Sequence, residues 1–383
     1  MKKYFYLGCI GLIIFEVLKV FLILPFPGSQ DMESVGIAYI FHSYRWAFRV
    51  LFTFLILYGI RDSFKGKIKW LSGPVLIIAG VVIYFVNFPM TAEGMFSGAG
   101  KITTKQRSEN KIPEERLVIG IENNGEAKAY PIGIIAYHHQ ILDSVGGKPF
   151  MITYCDVCHT GRVYEPIVNG KHETFRLVGM DHFNAMFEDA TTKSWWRQST
   201  GEAVTGKLKG QTLKEFASKQ MTIKNWFKLY PKGEVMQPVE KFTKMYDLKG
   251  HYELGKDESD LTRTDSLSWK HKSWVVGVHV GDLFKTYDWN ELKKEIVIND
   301  TIGKIPIVLA LLSDKQTFVA FERSPDQKFL IRNDTLFSDS TAYDLLGRNV
   351  KNPSEKLKTV KAYQEFWHSW SYFHPDPRLT NKK

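Results

Sequence analysis

Apolar positions near the start of the chain gather into three long runs, at about 4–25, 37–60 and 70–88, each long enough to cross a bilayer as a helix. Only Glu16 and Lys19 interrupt the first run, while His42, Arg45 and Arg49 sit within or just before the second at about helical spacing. Charges in such places pair, snorkel to the headgroups or line a polar seam, so Glu16 and Lys19 are candidate partners for the arginines. Past residue 91 the pattern shortens to brief runs rich in Val, Ile, Tyr and Phe, separated by turn residues, which predicts strands. Lys171–Val178 follows the hairpin signal Asn169-Gly170, and Ser194–Gln198 is a further strand. Leu213–Lys219 and Ile223–Leu229 read as modest helices, and the aromatics from Tyr363 to Pro375 recur at helical spacing, as in a docking helix.

Self-similarity organises the rest. Val118-Ile-Gly120-Ile with Lys128-Ala-Tyr130 recurs 157 positions later as Val275-Val-Gly277-Val with Lys285-Thr-Tyr287, and Asp143, Gly146 and Pro149 meet Asp300, Gly303 and Pro306 at the same offset. One constant offset without a gap predicts two copies of a β-rich unit. The expected organisation is a three-span membrane segment (1–91), a flexible linker (92–115), a first repeat (116–240), a polar connecting excursion (241–273) and a second repeat (274–383). The fold class is therefore N-terminal transmembrane α-helices, three of them, followed by a β-rich α+β domain of two repeated units.

Charge changes this picture only in setting orientation. Nine Lys and Arg oppose five Asp and Glu in residues 1–99, and the remaining excess is spread without a basic run, which argues against nucleic acid as a partner. Lys2, Lys3 and the loop from Arg61 to Lys69 are basic, whereas the loop around Asp31 and Glu33 is acidic. The positive-inside rule then sets the first two in the cytoplasm and everything after the third span outside it. A cleaved secretory signal is the competing reading of the first run, but no small-residue cleavage site follows. The chain is expected in a bacterial inner membrane, its domain facing the periplasm or cell exterior, where thiols meet oxidising conditions.

Candidate chemistry concentrates at Tyr154-Cys155-Asp-Val-Cys158-His159-Thr-Gly161, between two strand-like runs. Cys155 and Cys158 at this spacing can clasp a soft metal, cycle between dithiol and disulfide, or tether a haem. A thioredoxin-like pair wants its first Cys at a helix N-terminus, yet here the chain continues as strand and hairpin. A c-type haem would use His159 as axial ligand. A metal knuckle needs donors from elsewhere, for which His138, His159, His182 and Met186 are candidates; a Cys/His/Met set favours zinc or copper. His182-x-x-x-Met186 fits one face of a helix turn. Asp143, Trp196 and Gln198 are candidates to orient the ligands. The repeat offset carries Cys155 and Cys158 to Leu312 and Lys315, so the unit's fold does without both cysteines.

Gly125-Glu-Ala-Lys-Ala-Tyr-Pro131, His138 with Asp143 and Gly146-Gly147, Tyr154-Cys-x-x-Cys-x-Thr-Gly161, Trp196-x-Gln198 with Thr200-Gly-Glu-Ala203, and the ending Phe366-Trp-x-x-Trp-x-x-Phe-x-Pro375 resemble the domain-of-unknown-function 3179 family over roughly 112–376. The resemblance implies sites but no reaction. The family's usual Cys-Pro-x-Cys resembles a zinc-ribbon knuckle; Asp156 replaces its Pro, His159 falls in a variable slot, which counts against haem, and His139 replaces its Glu after His138. Soft-metal binding at Cys155 and Cys158, with redox chemistry beside it, is the leading expectation. A thiol–disulfide oxidoreductase and a partner-binding domain with a structural disulfide are the alternatives.

Overall fold

A computed structural model describes residues 1–65 and 67–375. Within them the chain divides into two compact units, one of residues 1–97 and 171–212, the other of 98–170 and 213–375. This division crosses the expected first repeat, because residues 171–212 group with the N-terminal helices. Positions 376–383 of the expected second repeat lie outside the described residues.

In the first unit, α1 (Lys2–Phe21), α2 (Val35–Ser43), α3 (Arg45–Ser63) and α4 (Ser72–Asn87) carry the apolar runs. Two stretches, Lys2–Phe21 and Lys69–Asn87, are long and apolar enough to cross a membrane, and α2 with α3 makes a third if that pair, bent by 64° at Tyr44, counts as one span. α1 and α3 approach closely because glycines face the partner helix. A Cβ on Gly8 would lie 2.8 Å from Ile56 and from the Phe52 carbonyl, and one on Gly59 would lie 2.5 Å from the Phe5 backbone. The sequence-stretch charges do find one another: Glu16 accepts from Lys19 at 2.8 Å, from Arg49 at 2.6 Å and from Asn87 at 2.9 Å. An apolar environment demands such pairing. A four-stranded sheet runs in the order Ala203–Thr205, Trp195–Arg197, Asn184–Asp189, Phe175–Asp181. Its last strand is tied to the chain after α1 through Met180 N–H and the Ile23 carbonyl, 2.7 Å apart.

The second unit is β-rich. β1 (Leu117–Asn123), β2 (Glu126–Pro131), α5 (Ile132–His138), β3 (Gln140–Val145), β4 (Lys148–Cys155) and β5 (Thr160–Tyr164) follow in order. β6 (Lys219–Thr222) pairs with β1 and leads into α6 (Ile223–Leu229). Later come β7 (Trp274–Val280), β8 (Leu283–Asp288), α7 (Trp289–Glu295), β9 (Val297–Ile302), β10 (Ile305–Leu311) and β11 (Phe318–Glu322), then β12 (Lys361–Phe366) and α8 (Trp367–Phe373). β12 pairs with β7 as β6 does with β1. Gly120 of β1 leaves room for Trp226 of α6, and Gly277 of β7 for Trp370 of α8; a Cβ would stand 2.3 and 2.1 Å from those rings. Tyr130 donates to Asp143 at 2.8 Å, and Tyr287 to Asp300 at 2.9 Å.

Three local expectations change. Residues 213–218 form no helix: Phe216 N–H bonds the Val163 carbonyl at 2.8 Å and Glu215 bridges Tyr164, so tertiary pairing overrides propensity. The aromatic tail begins as strand and turns helical only at Trp367. The expected linker contains ordered pieces, a short helix Ala92–Met95 and a strand Thr104–Lys105 that pairs with Glu234–Met236.

Candidate functional site

β4 and β5 form a hairpin whose end pair is Cys155 with Thr160, and the loop from Asp156 to His159 closes it. His159 takes a left-handed conformation there, with φ 52°. Both sulfurs are fully buried and unbridged, and the two thiols hydrogen-bond one another. The hairpin is braced from the far end of the chain. Phe366 N–H bonds the Cys158 carbonyl at 3.0 Å, Thr160 donates to Glu365 at 2.9 Å, and Arg162 meets Glu365 at 2.7 Å with both side chains buried.

Two imidazoles flank the pair on different elements. His139 caps α5 in a left-handed conformation, and its Nε2 lies 3.3 Å from Asp156 Oδ1. His368, on α8, sets Nε2 3.5 Å from Cys158 Sγ. Its Nδ1 lies 3.0 Å from the His271 carbonyl, which can only accept. Nδ1 therefore carries the proton of the neutral ring, and Nε2 offers a lone pair to the Cys158 thiol. His368 is half-buried and stacks on exposed His271, ring centres 4.3 Å apart, so these two rings cover Cys158 toward solvent.

Electrostatics makes the two thiols unequal. Burial opposes ionisation of Cys155, but the Cys158 thiol, the His139 ring and the Cys158 backbone N–H together hold it below its ordinary value. Burial, reinforced by the charge forming at Cys155, pushes Cys158 well above its ordinary value. Burial alone would keep His139 neutral; Asp156 overrides it and raises the ring, so the two form an ion pair beside Cys155. Burial together with neighbouring His271 keeps His368 well below its usual range, and so neutral.

The other sequence candidates have other engagements. His138 is buried, with Nε2 2.7 Å from the Tyr246 hydroxyl. His159 lies between Tyr252, stacked at 4.4 Å, and Trp274; its Nε2 donates to the Thr262 carbonyl at 3.2 Å and its Nδ1 receives the Tyr154 hydroxyl at 3.3 Å. Both nitrogens of His159 are therefore engaged within the protein. Asp143 holds Tyr130 and Lys128. His182, Met186, Trp196 and Gln198 belong to the first unit. His182 and Phe183 form a tight turn with positive φ between two strands rather than a helix turn. His182 bonds Asp181 at 2.6 Å, and Met186 packs with Trp195. Trp196 donates to Asp189, and Gln198 accepts from Asn184, both at 3.0 Å. Among the described residues no three His, Cys, Asp or Glu side chains are grouped to hold a metal ion.

Sequence reading missed His368, Arg162 and Glu365 as neighbours of the cysteines, and left the role of His139 open. Glu365 and His368 sat inside an aromatic tail whose stripe read as core. Only the pairing of β12 with β7, and the packing of its strand beside the hairpin, reveals them. Residues 97–377 match a family described as a protein of unknown function, DUF3179. No curated protein and no solved structure matches the chain.

Proposed function

We propose, for a chain that belongs to the DUF3179 family of proteins of unknown function, that Cys155 and Cys158 are a dithiol–disulfide couple on a membrane-anchored domain outside the cytoplasm. The observation that carries this reading is the unequal surroundings of two touching thiols: Cys155 beside the His139–Asp156 ion pair, Cys158 under the His368 lone pair. The anchor reading is supported by the two or three apolar helices near the N-terminus, and the outside placement by the basic flanks. The repeat reading is supported by element starts that recur 157 positions apart from β1/β7 to β4/β10. At the cysteine positions the second copy has Leu312 and Lys315, so the couple is an addition to the scaffold.

The exchange balances as follows. In the oxidised form a partner thiolate attacks Cys158 Sγ, forming a partner–Cys158 disulfide and breaking the Cys155–Cys158 bond. Cys155 leaves as thiolate, which its depressed pKa and the His139 cation favour. A second partner thiolate attacks the mixed disulfide at the partner's sulfur and expels Cys158 as a thiolate, which then takes up a proton from solvent. The protein gains two electrons, and the partner dithiol becomes a disulfide; the reverse sequence reduces a disulfide partner. Cys155→Ser should accumulate mixed disulfides through Cys158, while Cys158→Ser should not; equal trapping by both, or by neither, would sink the assignment.

The soft-metal reading rests on the same two sulfurs and needs further donors from elsewhere. A tetrahedral zinc site wants four donors, and the described residues group no three of the usual kind, so we rank exchange first. Zinc or copper in stoichiometric amount, after purification without chelator, would reverse that order.

A further inference from the structure

In the unit of residues 1–97 and 171–212, a cavity of about 650 Å³ opens beside Lys19 of α1, Arg45 of α3 and Asn87 of α4, and it is also lined by Arg176 and Glu188 of two sheet strands. Apolar side chains such as Val20, Val86 and Met90 share the wall. The charges around it do not cancel. Glu16 is shared between Lys19 and Arg49, and Glu188 takes Arg176 at 2.9 Å. The third carboxylate, on exposed Glu93, lies 3.9 Å from Arg176. His42 accepts from Arg176 at 3.2 Å through Nε2, so it adds no charge.

Arg45 and Lys193 remain. Arg45 donates to the His42 carbonyl at 2.6 Å, and neither cation has a carboxylate within ion-pair distance among the described residues. Four cations, Lys19, Arg45, Arg176 and Lys193, thus line the concavity against two carboxylates, Glu93 and Glu188. With Arg45 half-buried and Lys193 exposed beside it, that excess is better stabilised by an anion than by solvent alone. The apolar wall, continuous with helices whose outer faces carry Ile37, Ile40, Ile77 and Val81, suits a hydrocarbon chain attached to it.

We propose that this cavity binds the phosphate-bearing headgroup of an anionic phospholipid, with Arg45 and Lys193 on the phosphate and an acyl chain along Val20 and Val86. The idea rests on the membrane reading of α1, α3 and α4, and on nothing at the cysteines. The test uses the full chain in a neutral detergent, with thermal unfolding followed after addition of phosphatidylglycerol, phosphatidylcholine or inorganic phosphate. Phosphatidylglycerol should raise the midpoint by several degrees through preferential binding to the folded state, while phosphatidylcholine and phosphate leave it unchanged. Lys193→Gln, on an exposed side chain, should remove part of that rise, and Arg45→Gln with Lys193→Gln most of it. Arg45→Lys, which keeps the charge, should retain the rise and guards against misfolding of the double variant. Equal protection by phosphatidylcholine, equal protection by free phosphate, or a full rise in the double variant would each overturn the proposal. Membrane attachment is scored separately by alkaline extraction of membranes: release of the chain would overturn the anchor reading itself.

Discussion

At the scale of single residues, the lowered Cys155 thiol rests first on the Cys158 hydrogen bond and then on the His139 cation. His139 is raised above its ordinary 6.5 because Asp156 outweighs burial. A group with a raised folded value stabilises fully below its unfolded value, and that contribution fades as pH rises through the folded value. The His139 cation, and its support for the Cys155 thiolate, is therefore complete below pH 6.5 and lost progressively on the alkaline side. His139→Gln removes the cation while burial continues to oppose ionisation. Alkylation of Cys155 near neutral pH, followed by peptide mass spectrometry, should slow by about tenfold, its profile moving to higher pH. An unchanged profile would mean that the Cys158 hydrogen bond alone sets the thiolate. The cysteines themselves were legible in the chain, because their spacing is local. His368 was not, since nothing between 158 and 368 records that these two positions meet.

At the scale of elements, the glycines of the central strands decide where two helices dock. Gly120 and Gly277 each lack the Cβ that would collide with an indole, of Trp226 and Trp370 respectively. Both rings are fully buried. Alanine at either position forces a backbone or indole shift, an overpacking cost of about 1–3 kcal/mol. Urea unfolding of each variant should show losses of similar size; a loss at only one position would argue that the strand–helix pairs are not equivalent. Ile223–Leu229 was readable as a helix because its apolar spacing and the Thr222 cap, which accepts the Asn225 N–H at 3.4 Å, are both local. Leu213–Lys219 misled because a short run satisfies helical and extended spacing alike, and pairing with Tyr164 and Val163 chose the extended form.

At the scale of the whole molecule, the proposed chemistry depends on which side of the membrane the β-rich unit occupies. Asn124, exposed in the turn between β1 and β2, offers a reporter remote from the thiols. Asn124→Cys should react with a membrane-impermeant maleimide in intact spheroplasts as completely as after lysis. Labelling only after lysis would invert the topology and put the couple in a reducing compartment, where a resting disulfide is not expected.

The apolar runs, the turn residues and the constant offset between two segments were decided by the sequence itself, because helix spans and hairpins follow from near neighbours and period. The grouping of residues 171–212 with the N-terminal helices was decided only by tertiary structure. So were the imidazole over Cys158, the Arg162–Glu365 brace and the uncompensated cations around the cavity. Each of these joins side chains that lie tens to hundreds of positions apart, and burial sets their protonation and charge balance only once the chain has closed around them.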